Sequence, residues 1–158
     1  MLKLRNAKKE DSELIIQYIK ELAEFERLSH ECDAKPESIQ KWLFGETPRA
    51  ECLLAQWEGK PAGFAIYFYN FSTFMGKPGI YIEDVFIRPE FRRKGIAKKI
   101  FGHLAQKALA EGCGRLEWSV LDWNSDAIEL YKSFGAQQLN EWITQRVSGG
   151  ALAKLAGI

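Results

Sequence analysis

Apolar residues recur along the chain with two different periods, and each change of period marks an element. Leu2-Lys3-Leu4-Arg5 alternates, which predicts a short first strand. Asp11 then stands where a helix cap belongs, followed by Leu14, Ile15, Tyr18, Ile19, Leu22 and Phe25 at helical spacing. Pro36 suits a helix first turn, Ile39, Trp42 and Leu43 form its stripe, and Gly45 stops it. Glu51 to Trp57 and Ala62 to Asn70 read as two strands joined by the turn Glu58-Gly59-Lys60. A loop from Phe71 to Gly79 precedes Ile80 to Ile87, a nearly continuous apolar strand closed by Arg88-Pro89.

Beyond that proline the period returns to helical. Ile96, Ile100, Leu104 and Ala108, with Ala97 and Phe101 beside them, predict a helix from about Lys94 to about Glu111. Arg115 to Val120 reads as a strand. Asn124 or Ser125 caps a helix bearing Ala127, Ile128, Tyr131 and Phe134, and Gly135 stops it. Glu141 to Val147 is expected to be a last strand, and Ala151 to Ile158 a small apolar tail. This order predicts a mixed α/β sheet with helices on its faces, in one domain spanning 1–158.

Composition narrows the function classes. The formal net charge is +1, so no global field favours nucleic acid or a membrane surface. No apolar run is long enough to span a bilayer, and no signal core opens the chain. Three cysteines at no metal-like spacing fit a reducing, cytoplasmic setting rather than a disulfide framework. His30 and His103 have no partners at ligand spacing, so no metal is expected. The charge is uneven, however. Acids crowd the first third, at Glu21, Glu24, Glu26, Glu31, Asp33 and Glu37, and bases crowd the stretch after Ile87.

That basic stretch, Arg92-Arg93-Lys94-Gly95-Ile96-Ala97, sits between a strand and a helix start. Such a corner turns unpaired N–H groups outward at the positive end of a helix. Gly95 and Ala97 are small enough for close approach to the main chain, and Lys98 and Lys99 add charge. Two readings stand side by side: a pyrophosphate cradle, and a solvated basic face. Neither phosphate-loop pattern of the nucleotide proteins is present. Glu83 and Asp84 interrupt the central strand. By the strand period they point to opposite faces, and a carboxylate there is costly unless paired or useful. No serine lies in a nucleophile elbow.

These residues together resemble the GNAT acetyltransferase superfamily. Its loop signature, Arg/Gln-x-x-Gly-x-Gly/Ala, is matched by Arg92 to Ala97. Its second signature, Asn-x-x-Ala-x-x-x-Tyr-x-x-x-Gly-Ala/Phe, is matched from Asn124 to Ala136. Ile19-Lys20-Glu21-Leu22-Ala23, Phe25-Glu26, Phe44-Gly45-Glu46 and above all Tyr81-Ile82-Glu83-Asp84 resemble the spermidine/spermine N-acetyltransferases and their thialysine-acetylating relatives.

The resemblance implies a mostly antiparallel central sheet flanked by helices. It implies acetyl-CoA as donor, no metal, a small primary amine as acceptor, a cytoplasmic location and a homodimer. It implies Glu83 as base and Tyr131 as acid. The cofactor would be held by Val85, Phe86 and Ile87, by Arg92, Arg93, Lys94, Gly95, Ile96, Ala97 and Lys98, and by Asn124, Ala127 and Tyr131. The amine would meet Phe25, Glu26, Phe74, Glu83, Asp84 and Glu141. Ser72 and Phe74 stand where the polyamine enzymes carry an acid and a tryptophan, so a lysine analogue or short diamine is expected over long spermine. Acetylation of protein lysines or N-termini, and CoA binding without catalysis, are the other two readings.

Overall fold

A computed structural model describes residues 1–158 in full. Two compact units are formed, Met1–Leu121 and Asp122–Ile158. The first carries a five-stranded sheet in the order β1-β2-β3-β4-β5. Its strands are β1 (Leu2–Asn6), β2 (Glu51–Trp57), β3 (Lys60–Ser72), β4 (Lys77–Ile87) and β5 (Leu116–Trp118). The first four pair antiparallel, and β4 pairs β5 in parallel. A parallel pair needs a crossover, which α3 (Ile96–Ala110) supplies. Between β1 and β2 come α1 (Ser12–Phe25) and α2 (Pro36–Phe44).

The two sheet faces have separate cores. On one, Ile15, Ile16, Tyr18 and Leu22 of α1 and Ile39 of α2 pack on Cys52, Leu54, Phe64, Ile66 and Phe86. Tyr18 stacks on Phe64 with ring centroids 5.0 Å apart. The other carries α3, whose buried residues are Ile96, Ile100, Phe101, Leu104 and Ala108, the stripe expected from the sequence. Buried apolar area at this scale is the main stabilising term.

Three expectations change. Asp11 does stand at the N-cap of α1, yet its side chain makes no cap bond there. Instead Arg5 grips the carboxylate with two bonds of 2.8 Å, and it accepts the Lys8 N–H at 2.7 Å. The expected loop over Phe71–Gly79 shrinks to the four residues between β3 and β4. Asn70↔Gly79, Phe71↔Pro78 and Ser72↔Lys77 continue the ladder, because the hairpin supplies a partner for every added residue.

The second unit holds α4 (Ser125–Ser133) and α5 (Gly149–Leu155). The expected last strand, Glu141 to Val147, is not a strand in the structure. Its apolar positions do not alternate cleanly, and Trp142 and Ile143 are exposed. The unit contains no other strand to satisfy its backbone groups, and an isolated extended segment gains nothing from being one.

Gly63 on β3 faces the backbone of β4 so closely that a Cβ there would collide with the Phe86 carbonyl oxygen and stand 2.7 Å from Ile87 Cδ1. Gly63→Ala is therefore expected to destabilise the fold by roughly 1–3 kcal/mol, the usual cost of overpacking. Urea unfolding with an unchanged m-value checks this.

Candidate active site

The site begins with a defect in β4. Ile66 pairs with Asp84 but Tyr67 pairs with Ile82, so Glu83 is an extra residue without a cross-strand partner. That is a β-bulge. Cross-strand partners share a face, which makes its consequence readable. Asp84 and Phe86 lie opposite Ile66 and Phe64, on the α1 face. Ile82 lies opposite Tyr67, whose hydroxyl lies within the field of Lys107 on α3. Glu83, one residue beyond Ile82, therefore points to the α1 face, and the bulge sends Asp84 to that face as well. The expectation that the two acids face opposite ways fails for this reason. Electrostatics agrees: Glu83 raises the pKa of both Glu26 and Asp84, and Glu26 raises that of Asp84.

Glu26 and Asp84 border a cleft formed by the end of α1, the segment after it, and β4. Ile19, Leu22, Leu28 and Ala34 give apolar walls, and the acids are Glu26, Glu31, Asp33 and Asp84. Burial first, then Glu83 and Glu26, push the Asp84 carboxyl up to about 7. Burial, then Glu83, raises Glu26 in the same direction. Glu83 itself is exposed. Glu31 and Asp33 were visible in the sequence only as part of an acidic stretch. Glu31 closes the 3-10 turn Ser29–Glu31 and Asp33 lies just beyond it, where no helical or strand period assigns a face.

One acid of α1 is committed elsewhere. Glu21 receives Arg88 Nε at 3.0 Å and Nη2 at 2.9 Å, and that guanidinium also lies 4.7 Å over the Tyr18 ring. Glu21 is therefore neutralised rather than free to attract a cation. The loop residues do not reach the cleft. Phe74 is wholly exposed at the tip of the β3–β4 hairpin. From Lys77 at the base of the tip to Asp84, at about 3.3 Å per residue, the strand separates them by roughly 20 Å. Ser72 is buried, and its Oγ accepts the Met75 N–H at 3.1 Å, so it serves the turn. Ser72 and Phe74, the loop residues singled out in the sequence, thus lie apart from this cleft within the chain.

The other half of β4 has a free edge. β5 pairs only with Ile80, Tyr81 and Ile82. From Glu83 to Ile87 no strand lies on that side. Arg88 N–H donates to Ala62 O on β3 at 2.8 Å, so by strict alternation the Val85 and Ile87 N–H groups face the open edge. The chain then turns through a short 3-10 segment, Pro89–Phe91, into α3. Arg93 and Gly95 have φ of 61° and 77°, and a Cβ on Gly95 would meet nothing within 4 Å. No side chain caps α3. The corner is thus an open, uncapped helix N-terminus with exposed Arg93, Lys94, Lys98 and Lys99 around it.

Two of its cations lean away. Arg92 Nε donates to Ile87 O at 2.9 Å and its guanidinium covers the rings of Phe25 and Phe86 at 4.9 and 5.6 Å. Lys94 Nζ lies 5.3 Å over Trp57. Phe25, expected beside the amine, thus has a cation on its ring, at the end of α1 that also carries Glu26.

In the second unit, Asn124 accepts the Ala127 N–H at 3.4 Å, the cap expected from sequence. Tyr131 lies one turn further along α4, half-buried, its ring 6.2 Å from Phe134. Glu141 is exposed in a turn.

The Asp84 shift has a measurable consequence. Its native-state pKa stands above the ordinary value of 3.8, so the native state binds the proton more tightly than the unfolded chain. The cost of charging Asp84 is absent below about pH 4, grows as pH rises, and is complete above about 7. Asp84→Asn is expected to raise the melting temperature at pH 8 and to change it little at pH 4. Melting curves across that range check it.

Comparison with known proteins agrees with this architecture. The acetyltransferase (GNAT) family model matches residues 16–136. A thialysine N-epsilon-acetyltransferase of Bos taurus is 40% identical over 165 residues, covering 98% of this chain and 96% of that protein. An L-ornithine N5-acetyltransferase of Arabidopsis thaliana is 46% identical over 91 residues, 58% of this chain and 40% of its own length. Among solved structures, an integron cassette protein from the mobile metagenome of V. cholerae superposes with a TM-score of 0.81 at 27% identity, over 98% of this chain and 97% of its own. The motifs at Arg92–Ala97 and Asn124–Ala136 fall inside the matched region, and the chain belongs to the GNAT acetyltransferase family.

Proposed function

We propose that this chain, as one acetyltransferase domain, moves an acetyl group from acetyl-CoA to the primary amine of a small cationic acceptor, in the cytoplasm and as a homodimer. The observation that carries the reading is the β4 bulge. It turns Glu83 and Asp84 toward Glu26 and the acidic cleft on one face, in the same strand whose far half has an unpaired edge. The names of the thialysine and ornithine relatives support an amine acceptor.

The donor site fits the residues present. Uncapped N–H groups at the start of α3, the open space over Gly95, and the charges of Arg93 and Lys98 suit a pyrophosphate. Val85 and Ile87 would receive the amide-bearing arm on the free strand edge. Bound there, acetyl-CoA supplies an activated thioester.

The protein's own groups do the rest. An alkylammonium has a pKa of about 10.4 and must lose a proton before its nitrogen can attack. Glu83 accepts that proton, directly or through water, and the Glu26 and Asp84 carboxyls hold the cation beforehand. An N–H on the free edge of β4 steadies the negative charge that grows on the carbonyl oxygen. Tyr131 gives its proton to the departing sulfur. Direct attack with both substrates held needs no covalent acetyl-enzyme, and proximity supplies much of the rate.

Acetyl-CoA consumption over a panel of small amines and lysine peptides tests the reading. Small alkyl amines are expected to be turned over and peptides to lag; a peptide preference would overturn it. Gly95→Glu is expected to weaken CoA binding at least about tenfold by placing a carboxylate at the helix N-terminus, with Gly95→Asn, which tolerates left-handed backbone, as the milder control. Calorimetric titration with CoA reads both. Tyr131→Phe removes only a hydroxyl. It is expected to fold normally and lose about a hundredfold or more in kcat, measured where chemistry limits turnover.

A further inference from the structure

We infer that Arg88 is a positioning residue for the acceptor half of the reaction: through Glu21 it holds the last turns of α1, and with them Glu26, in place beside Glu83 and Asp84 of β4. The inference rests on the reading of that cleft as the acceptor site.

The cleft is assembled from two elements whose charges repel. Glu26 is the C-cap of α1, and Glu83 and Asp84 belong to β4. Glu83 disfavours charge on Glu26, and both disfavour it on Asp84, so the acids push the end of α1 away from the strand. The contacts beneath, through Ile15, Ile16 and Leu22, are apolar and carry no direction.

Arg88 supplies a directed attraction between the same two elements. It follows Ile87, the last residue of β4, and its N–H donates to Ala62 O at 2.8 Å, which fixes its backbone on the sheet. From there the guanidinium crosses to α1. Nε and Nη2 donate to the two Glu21 oxygens at 3.0 and 2.9 Å, Nη1 donates to Pro61 O at 3.4 Å, and the guanidinium carbon lies 4.7 Å from the centre of the Tyr18 ring. A charged fork fixes orientation as well as distance. The Arg88 and Glu21 side chains are 19% and 37% exposed, so water screens this pair less than an open surface bridge.

Tyr18, Glu21 and Phe25 recur at i, i+3 and i+7, on one stripe of α1. Arg92 covers the last of them, Phe25. Two arginines flanking the 3-10 turn Pro89–Phe91 thus grip one stripe of the helix, and Glu26 is its next residue. Glu21 precedes Glu26 by about 7.5 Å along the helix axis. Neither Glu21 nor Arg88 lines the cleft, so the arginine acts through the placement of Glu26 and touches no substrate.

Initial rates with acetyl-CoA and L-ornithine, L-lysine or cadaverine test the assignment, with calorimetric titration of CoA alongside. Arg88→Met keeps a chain that covers Tyr18 and removes the fork. It is expected to raise KM for the amine by about tenfold, because a small misplacement of a positioning group is costly, while the CoA dissociation constant stays within about threefold. Arg88→Lys keeps the charge without the fork and is expected to raise the amine KM by about threefold. It carries the same test if Arg88→Met does not fold. The swap Glu21→Arg/Arg88→Glu restores an ion pair across the same gap and is expected to return the amine KM to within about threefold of the wild type. An amine KM that the Arg88 variants leave unchanged, equal losses for amine and CoA, or a swap no better than the single variants each overturns the inference. The acceptor reading survives those outcomes as long as the wild type acetylates one of the three amines. If it acetylates none, that reading fails and this inference with it.

Discussion

One inserted residue in β4 organises the chemistry of this protein. A regular strand would have alternated Ile80, Ile82, Asp84 and Phe86 onto a single face, and would have driven either a carboxylate into the α3 core or a phenyl ring out of the α1 core. The bulge at Glu83 resolves the conflict by changing phase in mid-strand. Ile80 and Ile82 stay in one hydrophobic layer, Phe86 joins the other, and both acids emerge on the α1 face, where Glu26 and the cleft lie. Burying Asp84 there without a cationic partner is unfavourable, and its raised pKa is the sign of that cost. A site that receives a cation recovers the cost only when the cation is bound, which is how a strained ground state becomes affinity for substrate.

The parallel β4–β5 pair has a complementary effect. A three-residue β5 covers only the first part of β4 and leaves the second part with an open edge. The crossover helix that parallel pairing requires starts at the end of that edge, so the same topology brings an uncapped helix terminus next to unpaired strand N–H groups. Gly95 provides the left-handed residue from which α3 departs.

Charges around α1 are sorted by partner rather than by sequence position. Arg5 holds Asp11 and Arg88 holds Glu21, each in a paired fork of bonds. Arg92 is drawn across Phe25 and Phe86. What remains unneutralised in the cleft lining is carboxylate alone, and this residue of negative charge, not the total of acids in the first third of the chain, defines what the cleft can receive.

The sequence by itself determined the elements, because period and punctuation are local. The stripes on α1 and α3, the stops at Gly45 and Gly135, the Asn124 cap and the two family signatures were all legible from residue spacing. It also marked Glu83 and Asp84 as out of place in an apolar strand. Tertiary structure decided what depends on partners. Register between β3 and β4 placed the bulge and put both acids on one face, which strict alternation denied. Ladder partners lengthened the hairpin and carried Ser72 and Phe74 away from the cleft, while the want of a partner left Glu141 to Val147 without strand structure. Glu31 and Asp33 came to line the cleft only because the fold laid the segment after α1 beside α1 and β4. A side chain's face is set by its own strand or helix, but its charge environment is set by chains distant in sequence, and that is the part no local pattern encodes.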